Sequence, residues 1–389
     1  MRLRIAVRVL AYFGVAWGTI IALASGLFPG SGLVALALAA YFTAPLIAFL
    51  RWRGWPFYPN AAFRLFIVRP FWYAQLLLPL VAASGLLGLL GGAPFRHALD
   101  AGRIAAGVAF VVVGAVLLAG YVGSRRLVVR EVHVELPGLP AAFDGLRIAQ
   151  LSDLHIGPHT PRRFLARVVE TTRAMSPDVI AITGDLIDDR AEDVASYARA
   201  LGSLDAPLGV FLIPGNHDVY AGWDEVEDAL RDADLGTVLV NDVALVSRGG
   251  ETLALVGTGD PAGGRRGTSR AAPDIDAAMA RVPSDTTVIA LAHNPALWPA
   301  LAKHDVALTL SGHTHWGQFA FPRRDWSLAS PFLEFAMGAH VERNSALYIS
   351  PGTGYWGIPF RLGASPEVTL VTVRRGNAAT ARVHAARAA

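Results

Sequence analysis

The stretch Leu-Arg-Ile-Ala-Gln-Leu-Ser-Asp-Leu-His, residues 146–155, decides how the second part of this chain folds. Its first six residues, Leu146–Leu151, are mostly apolar and predict a buried β-strand. Asp153 and His155 follow at once, and residues two apart in an extended segment point to the same side. A buried strand that runs directly into an aspartate and a histidine predicts a ligand site at its carboxyl end.

Four more predicted strands run into polar residues in the same way. They are Val179–Thr183 before Gly184-Asp185, Val210–Ile213 before Gly215-Asn216-His217-Asp218, Val288–Ala292 before His293, and Val306–Leu310 before Gly312-His313-Thr314-His315. The loops at the carboxyl ends of strands form the ligand crevice of α/β sheets. We therefore expect all five loops to meet at one site.

The residue types at these strand ends are those of a transition-metal site. Imidazole and carboxylate together favour zinc, iron, manganese or cobalt over calcium. Each residue alone has a simpler explanation, because an aspartate after a strand often caps a helix and an asparagine often serves a turn. One metal-binding arrangement accounts for all of them at once. The chain has no cysteine, which excludes disulfides, thiolate metal sites and cysteine nucleophiles.

The surrounding segments predict an α/β domain over residues 131–376. Further strands are expected at Thr237–Val240, Leu253–Val256, Ala346–Ile349 and Val368–Val373, and helices at Pro161–Met175, Ala191–Leu204, Trp223–Ala233 and Pro295–Lys303. Strands that alternate with helices indicate a layered α/β fold. The later strands lack long helices between them, so mixed sheets are expected. Residues 377–389 are rich in alanine and arginine, and we predict a disordered tail there.

The first 125 residues have a different character. The whole chain is 53% hydrophobic and 17% charged, with a mean hydropathy of +0.40, and this balance is typical of a membrane protein. Four apolar runs account for it: Val9–Phe28, Leu33–Leu50, Phe71–Leu90 and Ile104–Val122. Each approaches the roughly 20 residues that cross a bilayer. A buried helical domain is the alternative, but these runs leave no polar face for solvent. We predict a four-helix transmembrane region.

The arginines between these runs predict an orientation. Ten lie before the first run, between the second and third, or after the fourth: Arg2, Arg4, Arg8, Arg51, Arg53, Arg64, Arg69, Arg125, Arg126 and Arg130. Only Arg96 and Arg103 lie in the other two loops. The positive-inside rule then places the N-terminus and the C-terminal domain in the cytoplasm, at a cell inner membrane. The first run is alternatively a signal peptide with a small-residue cleavage site at Ala22 and Ala24. Interfacial aromatic residues are expected at Trp52, Trp55, Phe57, Tyr58, Phe71, Trp72 and Tyr73.

The five motifs, in this order and each at a strand end, resemble the signature of calcineurin-like metallophosphoesterases. The match spans residues 146–315, and Pro351-Gly352-Thr353-Gly354 with Pro366-Glu367-Val368 resembles the membrane-associated bacterial branch. The resemblance implies a layered αββα sandwich of mixed β-sheets. Some members of that branch cleave the pyrophosphate of UDP-2,3-diacylglucosamine.

The resemblance also implies a role for each motif residue. Asp153, His155 and His315 would hold one metal, Asn216, His293 and His313 a second, and Asp185 would bridge the two. The cofactors would be two divalent ions (manganese, iron, zinc or cobalt), and a hydroxide between them would attack phosphorus. His217 would protonate the leaving oxygen or donate to the phosphoryl group, with Asp218 orienting its ring.

The substrate is less defined by the sequence. Tethering to a membrane favours a lipid or lipid-linked phosphate, whereas a soluble phosphodiester substrate or a non-catalytic metal-binding scaffold are the alternatives. A net charge of +3 without a basic stripe does not suggest a nucleic-acid partner, and no protein partner is predicted. Arg361 would contact a substrate phosphate or form a structural salt bridge. The pairs Arg265-Arg266 and Arg323-Arg324 would meet anionic lipid headgroups or remain solvated loop charges.

Overall fold

The computed structural model describes residues 2–51, 61–266 and 269–389. The chain divides into two compact units, Met1–Gly120 and Tyr121–Ala389, close to the boundary expected at residue 125. Four of the aromatic residues predicted at the membrane interface, together with Arg53, lie outside the described residues: Trp52, Trp55, Phe57 and Tyr58.

The first unit is helical throughout its described residues. Its elements are α1 (Arg2–Leu27), α2 (Ser31–Arg51), α3 (Ala61–Phe63), a π-helical turn (Arg64–Val68), α4 (Arg69–Gly92), a 3₁₀ turn (Ala93–Phe95) and α5 (Ala98–Gly123). No break separates α3 from the 3₁₀ turn, so Ala61–Phe95 forms one long apolar helical segment.

Three helical segments among the described residues are long and apolar enough to cross a membrane: Leu10–Leu27, Ala61–Phe95 and Ala98–Gly123. The fourth predicted run, Leu33–Leu50, falls on α2, in which the apolar helix assessed among the described residues is Ser31–Thr43. The prediction of apolar N-terminal helices is confirmed, but the number four is not.

Among its described residues, the second unit contains sixteen strands. They are β1 (Val128–Leu136), β2 (Leu146–Leu151), β3 (Val179–Thr183), β4 (Val210–Ile213), β5 (Thr237–Val238), β6 (Asp242–Arg248), β7 (Glu251–Gly257), β8 (Val288–Leu291), β9 (Leu308–Ser311), β10 (Ala320–Phe321), β11 (Trp326–Ser327), β12 (Gly338–Glu342), β13 (Ser345–Ile349), β14 (Glu367–Arg375), β15 (Thr380–Val383) and β16 (Arg387–Ala388). Its helices are α6 (Arg162–Ala174), α7 (Glu192–Leu201), α8 (Asn216–Tyr220), α9 (Trp223–Asp232), α10 (Pro261–Arg266), α11 (Ile275–Met279) and α12 (Trp298–Lys303).

Fourteen of these strands form two mixed sheets, and β10 pairs with β11 in a separate two-stranded sheet. The first runs β15-β1-β14-β2-β3-β4-β5, with β16 also on β1, and the second runs β12-β13-β9-β8-β7-β6. Strands β2 to β5 are parallel to one another, and so are β13, β9, β8 and β7. The mixed-sheet α/β prediction is therefore confirmed.

Three apolar cores hold the layers together. Phe143, Ile148 and Leu308 belong to the core between the two sheets. A second core joins the first sheet to α6, α7 and α9, and a third joins the second sheet to α11 and α12. Because each sheet has one face on the other sheet and one face on helices, both faces need apolar residues. This explains why β2, β3 and β4 are almost continuously hydrophobic.

The segment after Gly376 differs from the sequence prediction. It contains β15 and β16, and both pair antiparallel with β1 where a disordered tail was expected. Its Ala/Arg-rich sequence lacks an apolar pattern, but pairing with an edge strand requires only backbone N–H and C=O groups. Composition alone therefore did not reveal these strands.

Candidate metal centre

The five predicted loops meet at the carboxyl ends of their strands. Strands β2, β3 and β4 of the first sheet and β8 and β9 of the second deliver the seven predicted ligand residues to one place. Four of these side chains are at most 2% exposed: Asp153, His155, Asp185 and His293. The packing of the two sheets thus brings together residues that are distant in the chain, such as Asp153 and His315.

One group of ligand atoms comes from Asp153, His155 and His315. The Nε2 atoms of His155 and His315 are 3.0 Å apart, and Nε2 of His315 lies 3.2 Å from Oδ1 of Asp153. Two atoms that bind the same zinc-sized ion at about 2.0–2.2 Å stand about 3 to 3.5 Å apart. The spacing and the donor types therefore fit a bound transition metal.

A second group comes from Asn216, His293 and His313. Oδ1 of Asn216 lies 2.6 Å from Nδ1 of His313 and 3.3 Å from Nε2 of His293. Asp185 touches both groups, because its Oδ2 is 3.3 Å from Nε2 of His293 and 3.6 Å from Nε2 of His155. The contacts at 3.3 and 3.6 Å are close to the spacing of atoms around a metal, whereas the 2.6 Å contact is a hydrogen-bond distance.

The charges in the cluster keep the carboxyl group of Asp185 ionised, which is the form that binds a metal. Burial alone would raise the pKa of Asp185, but the imidazoles of His293 and His217 outweigh it and hold this pKa well below its usual range. Burial alone would lower the pKa of His293, yet the Asp185 carboxylate raises it well above the usual value. Burial and the charge of His293 lower the pKa of His313 to about 4. Asp185 is thus ionised, and His313 neutral, at neutral pH.

The backbone of the cluster is held in an uncommon conformation. Five ligand residues have left-handed φ angles: Asp153 (52°), His155 (45°), Asp185 (50°), His313 (70°) and His315 (49°). A non-glycine residue in this region costs on the order of 1–3 kcal/mol, and such residues cluster at functional sites. The surrounding fold therefore stabilises a local geometry that the loops would not adopt alone.

Comparison with known proteins identifies the family of this cluster. A profile of the calcineurin-like phosphoesterase family matches residues 146–317. An uncharacterized metallophosphoesterase of Helicobacter pylori is 34% identical over 262 residues, which cover 67% of this chain and 67% of the relative. The chain belongs to the calcineurin-like metallophosphoesterase family. This is the family that the five motifs predicted.

Two other relatives of this metallophosphoesterase differ in how much of their own length the alignment covers. A transmembrane protein with metallophosphoesterase domain from Danio rerio is 34% identical over 258 residues, covering 63% of this chain and 57% of the relative. An uncharacterized metallophosphoesterase of Aquifex aeolicus is 30% identical over 271 residues, covering 68% of this chain and 99% of the relative. The alignment thus spans little more than half of the Danio rerio protein and nearly all of the Aquifex aeolicus protein.

The polar contacts behind the ligands orient their rings. Nδ1 of His293 donates to the carbonyl oxygen of Thr183 at 2.8 Å, which leaves Nε2 for a metal. Nδ1 of His155 lies 3.2 Å from Oδ1 of Asp188. Nδ1 of His315 instead faces Arg361, whose Nη2 is 2.7 Å away. Arg361 is 1% exposed and binds no carboxylate among the described residues, so the structural salt bridge predicted for it is not observed.

The predicted pairing of His217 with Asp218 is not observed. Nδ1 of His217 donates to the carbonyl oxygen of Asp188 at 2.8 Å, and Oδ1 of Asp188 is 3.6 Å from the same nitrogen. The Asp218 carboxylate accepts backbone N–H groups of Gly215, Ile187 and Leu186 at 2.9, 3.1 and 3.3 Å. Asp218 occupies the third position of α8, from which a carboxylate reaches back to the helix N-terminus. Asp188 therefore orients the His217 ring.

A cavity of about 330 Å³ opens beside the second group of ligands. Asn216 and His313 form part of its wall, and Asp260 and Phe335 contribute to the remainder. Asp260 is 1% exposed, and its Oδ2 has no hydrogen-bond partner among the described residues. The cavity thus offers a buried acceptor next to the candidate metal site.

Sequence reasoning missed Asp188 and Asp260. Asp188 comes three residues after Asp185, and an isolated bridge between Ile156 and Ile187 brings it beside His155. The run Asp185-Leu-Ile-Asp188 was a usable signal, since a second carboxylate in a ligand loop can orient a ligand ring. Asp260 follows β7, a strand whose polar end was not included among the five motifs.

Proposed function

We propose that this metallophosphoesterase uses two divalent metal ions to hydrolyse a phosphoester or pyrophosphate bond of a lipid or lipid-linked phosphate at the cytoplasmic face of the membrane. The observation that carries the proposal is the contact of Asp185 with both ligand groups, at 3.3 Å from His293 and 3.6 Å from His155. A carboxylate between two sets of ligands suits a pair of ions about 3.5–4 Å apart.

The chain holds the reacting groups in place. When bound, two such ions would neutralise the phosphoryl oxygens and supply a water of lowered pKa. Oδ1 of Asp185 accepts the backbone N–H of His217 at 2.7 Å, which links the ligand cluster to the candidate general acid. Because Nδ1 of His217 donates to the Asp188 carbonyl, a proton for the leaving oxygen would come from Nε2.

Two features favour a lipid substrate over a soluble one. Three apolar helices tether the same chain to a membrane, so the enzyme and a lipid share one surface. The cavity beside the second ligand group is lined by several apolar residues: Pro261, Ala262, Pro295, Ala296, Pro299, Leu333 and Phe335. Its other lining residues are polar: Asn216, Tyr220, Asp260, Arg265, Asn294, His313 and Glu334. A cavity with an apolar part and a polar part suits a ligand that has both, as a lipid phosphate does.

Hydrolysis by the purified full-length protein in detergent tests the proposal. We would compare bis-p-nitrophenyl phosphate with UDP-2,3-diacylglucosamine and another lipid pyrophosphate, with manganese and with a chelator. Asp185→Ala should abolish turnover, because it removes the carboxylate shared by both ligand groups. Asp228→Ala is the matched control, since Asp228 is an exposed residue of α9, and its turnover should equal that of the unmodified protein.

The preferred substrate separates the alternatives. Faster turnover of a lipid pyrophosphate than of bis-p-nitrophenyl phosphate supports a lipid enzyme. Equal or faster turnover of the soluble ester would contradict the lipid assignment and favour a tethered soluble-substrate phosphodiesterase. No turnover of any substrate by folded protein that contains metal would instead indicate a binding scaffold.

A further inference from the structure

Large apolar side chains are exposed around the candidate metal site. Phe321, Trp326, Leu328 and Phe332 follow His315 in the chain and are 50%, 37%, 51% and 80% exposed, and Trp356 is 52% exposed. We name these five residues the aromatic rim. A large exposed apolar patch on a folded domain usually marks a site that binds a protein, a membrane or a ligand.

The aromatic rim is held in a defined arrangement. Strands β10 and β11 form a hairpin in which Phe321 pairs with Trp326, and their ring centroids are 5.9 Å apart. The side chain of Gln318 joins the hairpin to the loop of Trp356, because it donates to the Trp356 carbonyl and accepts the Trp356 N–H, both at 3.1 Å. Two separate segments therefore present one apolar surface.

This surface borders the reaction site on two sides. The ring of Trp356 lies 6.3 Å from the ring of His217, centroid to centroid. Leu333, next to Phe332, is 40% exposed and also lines the cavity that contains His313. Apolar surface thus continues from the aromatic rim to the cavity beside the ligands.

The charges near the aromatic rim suit phosphate groups at a bilayer surface. Arg323 and Arg324 are exposed in the turn between Phe321 and Trp326. Asp325 lies in the same turn and Glu334 lies next to Leu333, so the surface is mixed rather than uniformly basic. Tryptophan and arginine are both favoured at the level of lipid headgroups.

We propose that the aromatic rim is a membrane-contact surface, which inserts into the headgroup region of a phospholipid bilayer and holds the metal centre at the level of the lipid phosphates. Three helical segments among the described residues are long and apolar enough to span a membrane, and such spans would keep the second unit tethered to a bilayer. Insertion replaces water around five large apolar side chains with lipid, which the hydrophobic effect favours. The contact goes beyond the proposed reaction, since it requires neither turnover nor a particular substrate.

Site-directed spin labelling of the full-length protein tests this contact directly, because the chain has no cysteine. Phe332→Cys places a label in the aromatic rim. Ser284→Cys is the control, since Ser284 is exposed and precedes β8 at the end of that strand opposite His293. Each labelled protein would be reconstituted in nanodiscs of phosphatidylcholine and phosphatidylglycerol. Relaxation by oxygen and by a water-soluble nickel chelate would then report the depth of each label.

The label at Phe332→Cys should be relaxed more by oxygen than by the nickel chelate, and the label at Ser284→Cys should show the reverse. Equal access of the nickel chelate to both labels would overturn the proposal. Dipolar coupling between Phe332→Cys labels that disappears on dilution with unlabelled protein would also overturn it, in favour of a second copy of the chain as the partner.

A second variant separates loss of contact from loss of folding. Phe321→Ser combined with Trp326→Ser, in the Phe332→Cys background, should move the label into water. Hydrolysis of bis-p-nitrophenyl phosphate, where the unmodified protein supports it, should stay within about twofold, and manganese affinity should be unchanged. A label that keeps its depth in this variant would contradict the role of the hairpin. Because depth is measured without substrate, failure of the lipid-hydrolase proposal leaves this test intact.

Discussion

The guanidinium of Arg361 donates from Nη2 to Nδ1 of His315 across 2.7 Å. A guanidinium has no acceptor, so this ring nitrogen must accept. Metal-binding histidines usually donate from their second nitrogen to a carboxylate or carbonyl, and the direction here is reversed. The same guanidinium donates to the carbonyl oxygens of Pro351 and Gly354, both at 2.5 Å. Arg361 thus joins the loop after β13 to a candidate metal ligand.

Arg361→Met should lower stability without lowering metal affinity. Buried carbonyl groups would lose their donor, so we expect the free energy of unfolding to fall by about 3 kcal/mol or more. Because Nδ1 of His315 accepts from Arg361, the neutral ring holds its proton on Nε2, and removing the guanidinium lets Nδ1 carry that proton instead. Chemical denaturation and manganese titration measure the two effects.

Arg281→Met is the control for this substitution. Arg281 is 59% exposed and pairs with Asp242 at 2.7 Å, and exposed pairs contribute about 0–1 kcal/mol. A large loss of manganese affinity in folded Arg361→Met protein would contradict this expectation and show that Arg361 helps His315 to bind metal.

Gly184→Ala should disturb the second ligand group. Gly184 has a φ of +86°, and a Cβ there would lie 2.7 Å from Nδ1 of His293. The ring would have to move away from the Thr183 carbonyl that orients it. Gly138→Ala is a matched control, because Gly138 has a φ of +73° and a Cβ added there would meet no atom within 4 Å. Both variants should lose about 1 kcal/mol or more of stability, but only Gly184→Ala should lose metal affinity. Equal affinities would contradict this steric explanation.

His217→Asn should slow hydrolysis in proportion to how poorly the leaving group departs. A general acid contributes roughly 10²- to 10⁴-fold when the leaving oxygen needs a proton. p-Nitrophenolate leaves readily without one, so its ester should lose much less activity than an alkyl phosphodiester. Steady-state kinetics on the two esters measure the difference. Equal losses would indicate that His217 positions the phosphoryl group instead.

Metal binding should release protons, and the affinity should rise with pH. Burial alone lowers the pKa of His293, but Asp185 outweighs it and raises this pKa well above the usual value in the absence of metal. A metal binds the neutral ring only. Manganese must therefore displace a proton at neutral pH, and this competition weakens as pH rises towards the raised pKa. Calorimetric titration at about pH 7 in two buffers with different ionisation enthalpies should show release of about one proton or more, whereas identical heats would exclude it.

The second unit should be cytoplasmic if the arginine distribution sets the topology. With an odd number of spans it would lie on the opposite side from the N-terminus. Ser284→Cys in the second unit and Asp100→Cys in the first turn of α5 test this in intact bacterial cells with a membrane-impermeant maleimide. We expect labelling of Asp100→Cys alone, because one span separates the two positions. Labelling of Ser284→Cys alone would reverse the assigned face.

The sequence by itself determined the family and the positions of the candidate ligands. Strands such as Leu146–Leu151 and Val179–Thr183 were predicted with their observed bounds, because strands buried on both faces are mostly apolar. The residues after them were recognisable because metal chemistry restricts the side chains that can serve. These are local properties of the chain, so each can be recognised within a single segment of the sequence.

Only the tertiary structure decided which groups surround those ligands. Asp188 rather than Asp218 contacts the His217 ring, since Asp218 is engaged by the backbone N–H groups around the start of α8. Arg361 reaches His315 from 46 positions away, and the strands after Gly376 form because β1 offers an open edge. Each of these contacts depends on how distant segments pack and on backbone groups that every residue shares. The residue types and spacing within one segment therefore do not predict such contacts.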